Sequence, residues 1–300
     1  MQLTSRDLFL LSQCAISAAC QAGHRIGASS SRAVEVKTKQ AGTSLAAQVV
    51  TEVDHLSQAI ILQILQPACD WFDLALLSEE SPDDRLRLSK DYFWCIDPLD
   101  GTLPFIESVP GYSVSIALVS REGVPLLGVV FDPVTQTLYH AIKGQGVWRN
   151  HQPLTPLLHP DSSPSQQLTL ITDKSFRQDP LYATTLTELD RIAVECGYAG
   201  ARLQLQGGAA MNACHVLNDP RTCYFKFPKP QLGGGSIWDY AATACLFTEA
   251  GMPVSDMGGY PLTLNPIEST FMNHCGVLFC GDPMLAEQMV MLYQRLASQC

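Results

Sequence analysis

The sequence predicts a mixed α/β chain of the α+β kind, with an N-terminal antiparallel-sheet half and a C-terminal α/β half. Three observations carry this. Short β-branched and aromatic runs at Tyr112–Val119, Val124–Phe131 and Gln136–Ala141 are separated by Arg121-Glu122-Gly123 and Asp132-Pro133, the pattern of an antiparallel meander. From residue 168 onward, strand-like runs alternate instead with helical periods. Between the two patterns, residues 150–167 hold four prolines among Ser and Gln, which places a boundary between halves 1–150 and 151–300.

In chain order, a first helix is expected over 4–26. Thr4 with Asp7 forms a capping-box signature, and Leu8, Leu11, Ala15 and Ala18 follow one helical face. The apolar run 8–20 has the look of a signal peptide, but Asp7 spoils the basic flank and Ser12, Gln13 and Ser17 interrupt it. Residues 30–47 are small and polar and read as a hairpin or a mobile loop. A helix over Leu56–Gln66 is expected to stop at Pro67. Strands follow at Leu74–Leu77 and Tyr92–Ile96, and then the meander. The second half reads as strand 168–172, helix 180–196, strand 201–205, helix 208–217 and strand 222–226. A Gly-Gly-Gly loop at 233–235 then leads to helix 238–250, strand 275–280 and a last helix 283–298.

Composition narrows the function classes. With 300 residues, 46% of them hydrophobic and 16% charged, the chain builds a sizeable core. A net charge of −10 argues against a nucleic-acid polymer as main partner. A small anionic substrate stays open, because bound metal ions supply local positive charge. No run is long and apolar enough to span a bilayer, so no membrane partner is expected. Eleven cysteines, an odd number without a CxxC pair, read as free thiols in a reducing, cytoplasmic compartment.

The chemistry gathers on acids at the ends of elements: Asp54 before a helix, Glu79 after a strand, Asp97 and Asp100 after another, and Asp239 opening a helix. Hard cations such as Mg²⁺ take oxygen ligands of this kind and share them with substrate phosphate. Pro98 stiffens the link between Asp97 and Asp100, with the Leu99 carbonyl as a further ligand. Gly101 allows close backbone approach, and the Thr102 hydroxyl is placed to orient a water. Each acid also has a plain reading, Asp-Pro and Asp-Gly as turn dipeptides and Asp54 and Asp239 as helix caps. Spacing alone leaves both readings open.

The stretch WCIDPLDGTLPF (94–105) resembles the W-x-x-D-P-x-D-G-T-x-x-F signature of the inositol monophosphatase family, which includes 3′(2′),5′-bisphosphate nucleotidases. Trp238-Asp239-Tyr-Ala-Ala followed by Glu249-Ala250-Gly251 resembles its second signature. Val50-Thr51-Glu52-Val53-Asp54 and Ser78-Glu79-Glu80 resemble two further segments. The resemblance covers nearly the whole chain. It implies a layered αβαβα sandwich with the site between the halves, and Mg²⁺-dependent hydrolysis of a phosphate monoester. It also implies that Glu79, Asp97, the Leu99 carbonyl, Asp100 and Asp239 hold two or three Mg²⁺ ions. Thr102, paired with Asp54, would position the attacking water, and the Gly101 and Thr102 N–H groups would take phosphate oxygens. Lithium sensitivity and a homodimer are further expectations of the resemblance.

For the substrate, Gly207-Gly208-Ala209-Ala210-Met211-Asn212 resembles the family's G-T-A-A-x-N segment, with Gly208 in place of Thr, so Gly208 and Ala209 are expected at the substrate ring. Ser175 matches a substrate-contacting serine approximately. Seven residues before Asp239, where inositol-specific relatives carry a Glu, stands Leu232. Lys174, Arg177, Lys226 and Lys229 are candidates for a second phosphate, which a bisphosphate nucleotidase would require. His55 is expected on a helix surface. A catalytically weak phosphate-binding paralogue is an alternative of another class, and a sugar-bisphosphatase or histidinol-phosphate role is a third.

Overall fold

The computed structural model describes residues 2–29, 36–38, 49–155 and 166–298. The reading of 30–47 as a hairpin or loop therefore lies largely outside the described residues, as does 156–165 of the boundary segment. Helix α1 (Ser5–Ser29) starts at the expected box: the Thr4 N–H donates to Asp7 Oδ2 at 2.9 Å, and the Asp7 N–H donates back to Thr4 Oγ1 at 3.2 Å. A short antiparallel pair, β1 (Val36–Thr38) with β2 (Val49–Thr51), precedes α2 (Glu52–Phe72).

Helix α2 corrects two expectations. It begins four residues earlier than expected, so Asp54 lies within its first turn instead of capping it. It also runs through Pro67 for another turn. The missing N–H and the ring clash cost on the order of 3 kcal/mol in a helix interior. Burial of Ala68 and Cys69 beyond the proline, in the core formed with α1, works against that cost.

The first sheet has the order β3 (Ala75–Ser78), β4 (Tyr92–Asp100), β5 (Ser113–Ser120), β6 (Pro125–Asp132), β7 (Thr137–Ile142), β8 (Val147–Arg149), β9 (Gln152–Pro153). It is the expected meander with one parallel pair, β3 on β4. A short helix α3 (Thr102–Ile106) follows β4. The second sheet combines β10 (Gln167–Thr172), β11 (Gly200–Leu205), β12 (Thr222–Lys226), β13 (Val254–Ser255) and β14 (Val277–Cys280) in the order β11-β10-β12-β14-β13. Its helices are α4 (Tyr182–Glu195), α5 (Ala209–Asn218), α6 (Ile237–Ala250) and α7 (Pro283–Ala297).

Three apolar cores stack these elements into five layers. Helices α1 and α2 cover one face of the first sheet through Leu11, Ile61, Trp94 and Ile116. Helices α5 and α6 fill the space between the sheets, where Ala213, Ala241 and Phe247 meet Phe93 and Val119 on one side and Tyr224 and Phe279 on the other. Helices α4 and α7 cover the far face of the second sheet through Ile192 and Met289. Helix α6 is apolar nearly all round because both of its sides are buried. The result is the αβαβα sandwich.

Candidate active site

Asp97 and Asp100 lie within a strand, not beyond its end. Strand β4 continues to Asp100, and its pairing with β5 slips between Asp97, opposite Ser115, and Asp100, opposite Ser113. Three steps on β4 thus match two on β5, a one-residue bulge. In a regular strand, residues three apart point to opposite faces; the extra residue brings both aspartates to one face. Pro98 contributes by having no N–H to pair. The bulge is held from both sides: Ser57 Oγ of α2 donates to the Pro98 carbonyl at 2.7 Å, and the Leu99 N–H donates to Asp97 Oδ1 at 3.1 Å.

The other acids arrive from neighbouring elements. Glu79 follows β3, and its N–H donates to the Ile96 carbonyl at 3.1 Å, which fixes it beside Asp97. Asp54 is 3% exposed in the first turn of α2. Asp239 is the third residue of α6. There its carboxylate accepts the Ser236 N–H at 2.5 Å as half of a capping box, so the helix cap is Ser236 and not Asp239. Asp97, Asp100 and Asp239 each present a carboxylate oxygen such that all three lie within 4.8 Å of one another. The plain turn-and-cap reading does not account for that convergence.

The electrostatics follow from burial of like charges. The Asp97 carboxyl is pushed well above the usual range, first by burial and then by Glu79, Asp100, Asp239 and Asp54. Burial and Asp239 push Asp100 up to about 8, against the Ala210 and Ala209 N–H groups that donate to it at 2.8 and 2.9 Å. Asp239 is also raised by burial, while Lys226 and the Ser236 N–H that it accepts oppose the shift. A buried set of oxygen donors that repel one another lacks positive charge. That donor set suits a hard divalent cation.

Gly101 precedes α3 with φ +82°, and the Thr102 hydroxyl donates to the Leu99 carbonyl at 3.2 Å. Gly208 has φ +81°, and a Cβ on it would lie 1.6 Å from the Gly111 carbonyl oxygen. That contact explains why this chain has glycine where the resembled segment has threonine. Ala209 gives its N–H to Asp100, so at this position the backbone orients a carboxylate.

Ser175 lies in the turn after β10 and lines a cavity of about 260 Å³ together with Lys226, Lys229, Gln231, Tyr240 and Asn273. Leu232 is 59% exposed in the loop beside it. The four candidate cations separate clearly. Lys174 is paired with Glu107, and Arg177 is exposed and is not among the residues lining the cavity. Lys226 is tied to Asp173 Oδ2 at 2.7 Å and to the Gly234 carbonyl at 2.5 Å. Lys229 is half-buried and lowered by burial and by Lys226.

His55 sits on the surface of α2, with Nδ1 3.7 Å from Glu80 Oε2. Glu249 of the second signature lies away from the acids. Its carboxylate takes the N–H groups of Gly144, Gln145 and Gly146 at 2.9, 3.1 and 2.9 Å. Sequence reasoning gave no role to Ser57, Asp173, Tyr240 or Ala210; the last two stand inside resembled segments, whereas Ser57 and Asp173 carry no local signal.

Residues 8–290 match the sequence pattern of the inositol monophosphatase family. The chain is 31% identical over 250 residues to the Nus factor SuhB of Vibrio cholerae, covering 82% of this chain and 84% of that protein. It is 30% identical over 228 residues to the 3′(2′),5′-bisphosphate nucleotidase CysQ of Salmonella typhimurium, covering 75% and 82%. The IMPase of Thermotoga maritima superposes with a TM-score of 0.71 at 21% identity, over 95% of this chain and 97% of that one.

Proposed function

The chain belongs to the inositol monophosphatase family, and from that premise we propose that it is a Mg²⁺-dependent phosphomonoesterase acting on a small phosphate ester such as an inositol monophosphate. The observation that carries the reading is the meeting of Asp97, Asp100 and Asp239 within 4.8 Å, with Glu79 and Asp54 close enough to raise Asp97. In this reading Glu79, Asp97, the Leu99 carbonyl, Asp100 and Asp239 hold two or three Mg²⁺ ions. Residues 1–150 supply most of the ligands, and residues 151–300 supply Asp239 and the substrate pocket. Bound Mg²⁺ would polarise the phosphoryl oxygens and lower the pKa of a coordinated water.

The chain's own groups do the rest. The Thr102 hydroxyl donates to Leu99, which leaves its lone pairs to accept from the attacking water. Asp54 receives the proton released on attack, the bond between phosphorus and the ester oxygen breaks, and the departing alkoxide takes a proton from solvent to leave as the alcohol. The Gly101 and Thr102 N–H groups hold phosphate oxygens, and Ser175, Gly208 and Ala209 flank the leaving group. Phosphoryl transfer of this kind needs positioning and charge neutralisation more than covalent chemistry.

A second reading, a 3′(2′),5′-bisphosphate nucleotidase, draws support from the likeness to CysQ and from Lys229, the cavity lysine with no ion pair among the described residues. A phosphate-binding paralogue without activity is disfavoured, since every acid of the site and Thr102 are present. Lithium inhibition, a homodimer and a cytoplasmic location are carried over from the family as part of the proposal. Among the described residues, no helix is long and apolar enough to cross a membrane.

The test is phosphate release with Mg²⁺ from inositol 1-phosphate, 3′-phosphoadenosine 5′-phosphate, fructose 1,6-bisphosphate and histidinol phosphate. Turnover of the first supports the leading reading, and preference for the second supports the other. Mg²⁺ binding without release from any of the four would favour the inactive paralogue.

A further inference from the structure

We propose that Lys226 is a positioning residue for Asp239: it pins the glycine loop from which α6 begins. The proposal rests on the metal-site reading above.

A largely buried lysine is costly unless its donors are satisfied. The Lys226 ammonium bonds Asp173 Oδ2 at 2.7 Å and the Gly234 carbonyl at 2.5 Å, and lies 5.6 Å from the centre of the Tyr240 ring. These partners come from three places: the end of β10, the loop 227–236 and the first turn of α6. Lys226, at the last position of β12, therefore joins all three.

The loop needs that anchor. Gly233, Gly234 and Gly235 have φ of +106°, +81° and +130°, a run with no side chain of its own to hold it and a large entropy to lose. Other contacts along it are the Met272 N–H on the Gly235 carbonyl at 3.0 Å, the Tyr240 hydroxyl at 3.4 Å from the Gly234 carbonyl, a bridge of Ser236 to Phe271 and the Ile237 N–H on the Thr270 carbonyl at 2.9 Å. One residue later, Ser236 caps α6, and its N–H fixes Asp239 Oδ2. The segment 270–272 holds the loop on the Ser236 side and Lys226 holds it on the Gly234 side, so the position of Ser236, and with it the Asp239 carboxylate, depends on both anchors.

Lys226 has a second conceivable effect, and its sign is opposite. As a positive charge facing Asp239 it would compete with a divalent cation, so removing a mere countercharge would tighten metal binding. Removing an anchor weakens it. Isothermal calorimetry with Mg²⁺ on the wild type, Lys226→Met, Lys226→Arg and Asp97→Asn separates the two, together with amide hydrogen exchange across 233–237. The expected result is Mg²⁺ affinity about tenfold or more weaker in Lys226→Met, within the range for groups that orient metal ligands. Amide exchange at Gly234–Ser236 should be faster, and Lys226→Arg should restore most of both. Unchanged or tighter Mg²⁺ binding in Lys226→Met, or unchanged exchange, would overturn the proposal. Asp97→Asn is the control for the underlying reading: if it binds Mg²⁺ as the wild type does, the metal-site assignment itself fails. Should Lys226→Met not fold, Asp173→Asn, which frees Lys226 from its anionic partner, is read by the same two measurements.

Discussion

Asp97 on β4 and Asp239 on α6 bring carboxylate oxygens within 4.8 Å of each other. Burial and this proximity favour a proton on one of them, because two buried like charges repel. A bound cation removes the need for that proton, so proton and metal compete for the same oxygens.

Asp97→Asn should lower phosphate release by at least about a hundredfold, since the amide offers one neutral oxygen where a charged ligand stood. The fold should remain, because the amide keeps the volume and removes a buried like charge. Turnover within a few-fold of wild type, in protein with wild-type circular dichroism, would refute the role of Asp97.

Thr102→Ala acts on the water and not on the metal. It should reduce kcat by roughly 10²–10⁴, the range for groups that manage a proton in the transition state. Mg²⁺ affinity by calorimetry should stay within about twofold of wild type, since Thr102 offers no carboxylate. An intact kcat would remove Thr102 from the mechanism.

Stability should depend on pH with an unusual sign. The Asp100 carboxyl is raised to about 8 from 3.8, and Asp97 and Asp239 move in the same direction. Between those two values the folded metal-free chain binds more protons at these sites than the unfolded chain. Their contribution to stability is therefore full below 3.8 and is lost as pH rises towards 8. Calorimetric Tm without metal should be higher at pH 5 than at pH 8, and Mg²⁺ should raise it most at pH 8. A metal-free Tm that climbs over this interval, with no extra Mg²⁺ effect at the upper end, would contradict the assignment.

Gly208→Ala should destabilise the chain and silence the site together. A non-glycine residue at this φ costs on the order of 1–3 kcal/mol, and the new Cβ would collide with the Gly111 carbonyl. Relief requires moving the start of α5, which carries the two N–H groups that orient Asp100. Urea denaturation and Mg²⁺ titration of the variant should both shift; a shift in neither would mean that the contact is easily relaxed.

Glu249→Gln separates architecture from chemistry. The carboxylate gathers three N–H groups of the β7–β8 turn, and the neutral amide should cost about 1–3 kcal/mol of stability. The kcat of the folded variant should be unchanged. A large fall in kcat without loss of stability would place Glu249 in the reaction.

Local signals were legible in the sequence and remote ones were not. The Thr4–Asp7 box and the meander turns each act within a few residues, so the sequence alone locates them. Pro67 misled because its penalty is local while the compensating burial of Ala68 and Cys69 is tertiary. Strands β8, β9 and β13 have two or three residues each, too few to show a period. At the site, the acids were legible as residue types in a resembled order, but the shared face of Asp97 and Asp100 was not. Alternation along a strand would set them on opposite faces, and only the slip against β5 unites them. Lys226 read as one of four similar cations, because what distinguishes it is its partners.

The position of α6 has a consequence for synthesis. Once the ribosome has released the chain through β9, helices α1 and α2 can clothe one face of the first sheet. The other face presents Phe93, Cys95, Ala117, Val119 and Val130, whose cover is α6. Until residues 237–250 have left the exit tunnel, the nascent protein carries a bare apolar sheet, a surface of the kind that chaperones bind and that drives nascent chains to aggregate. Asp239 lies on the same helix, so the coat and the last acid of the cluster reach the folding chain together.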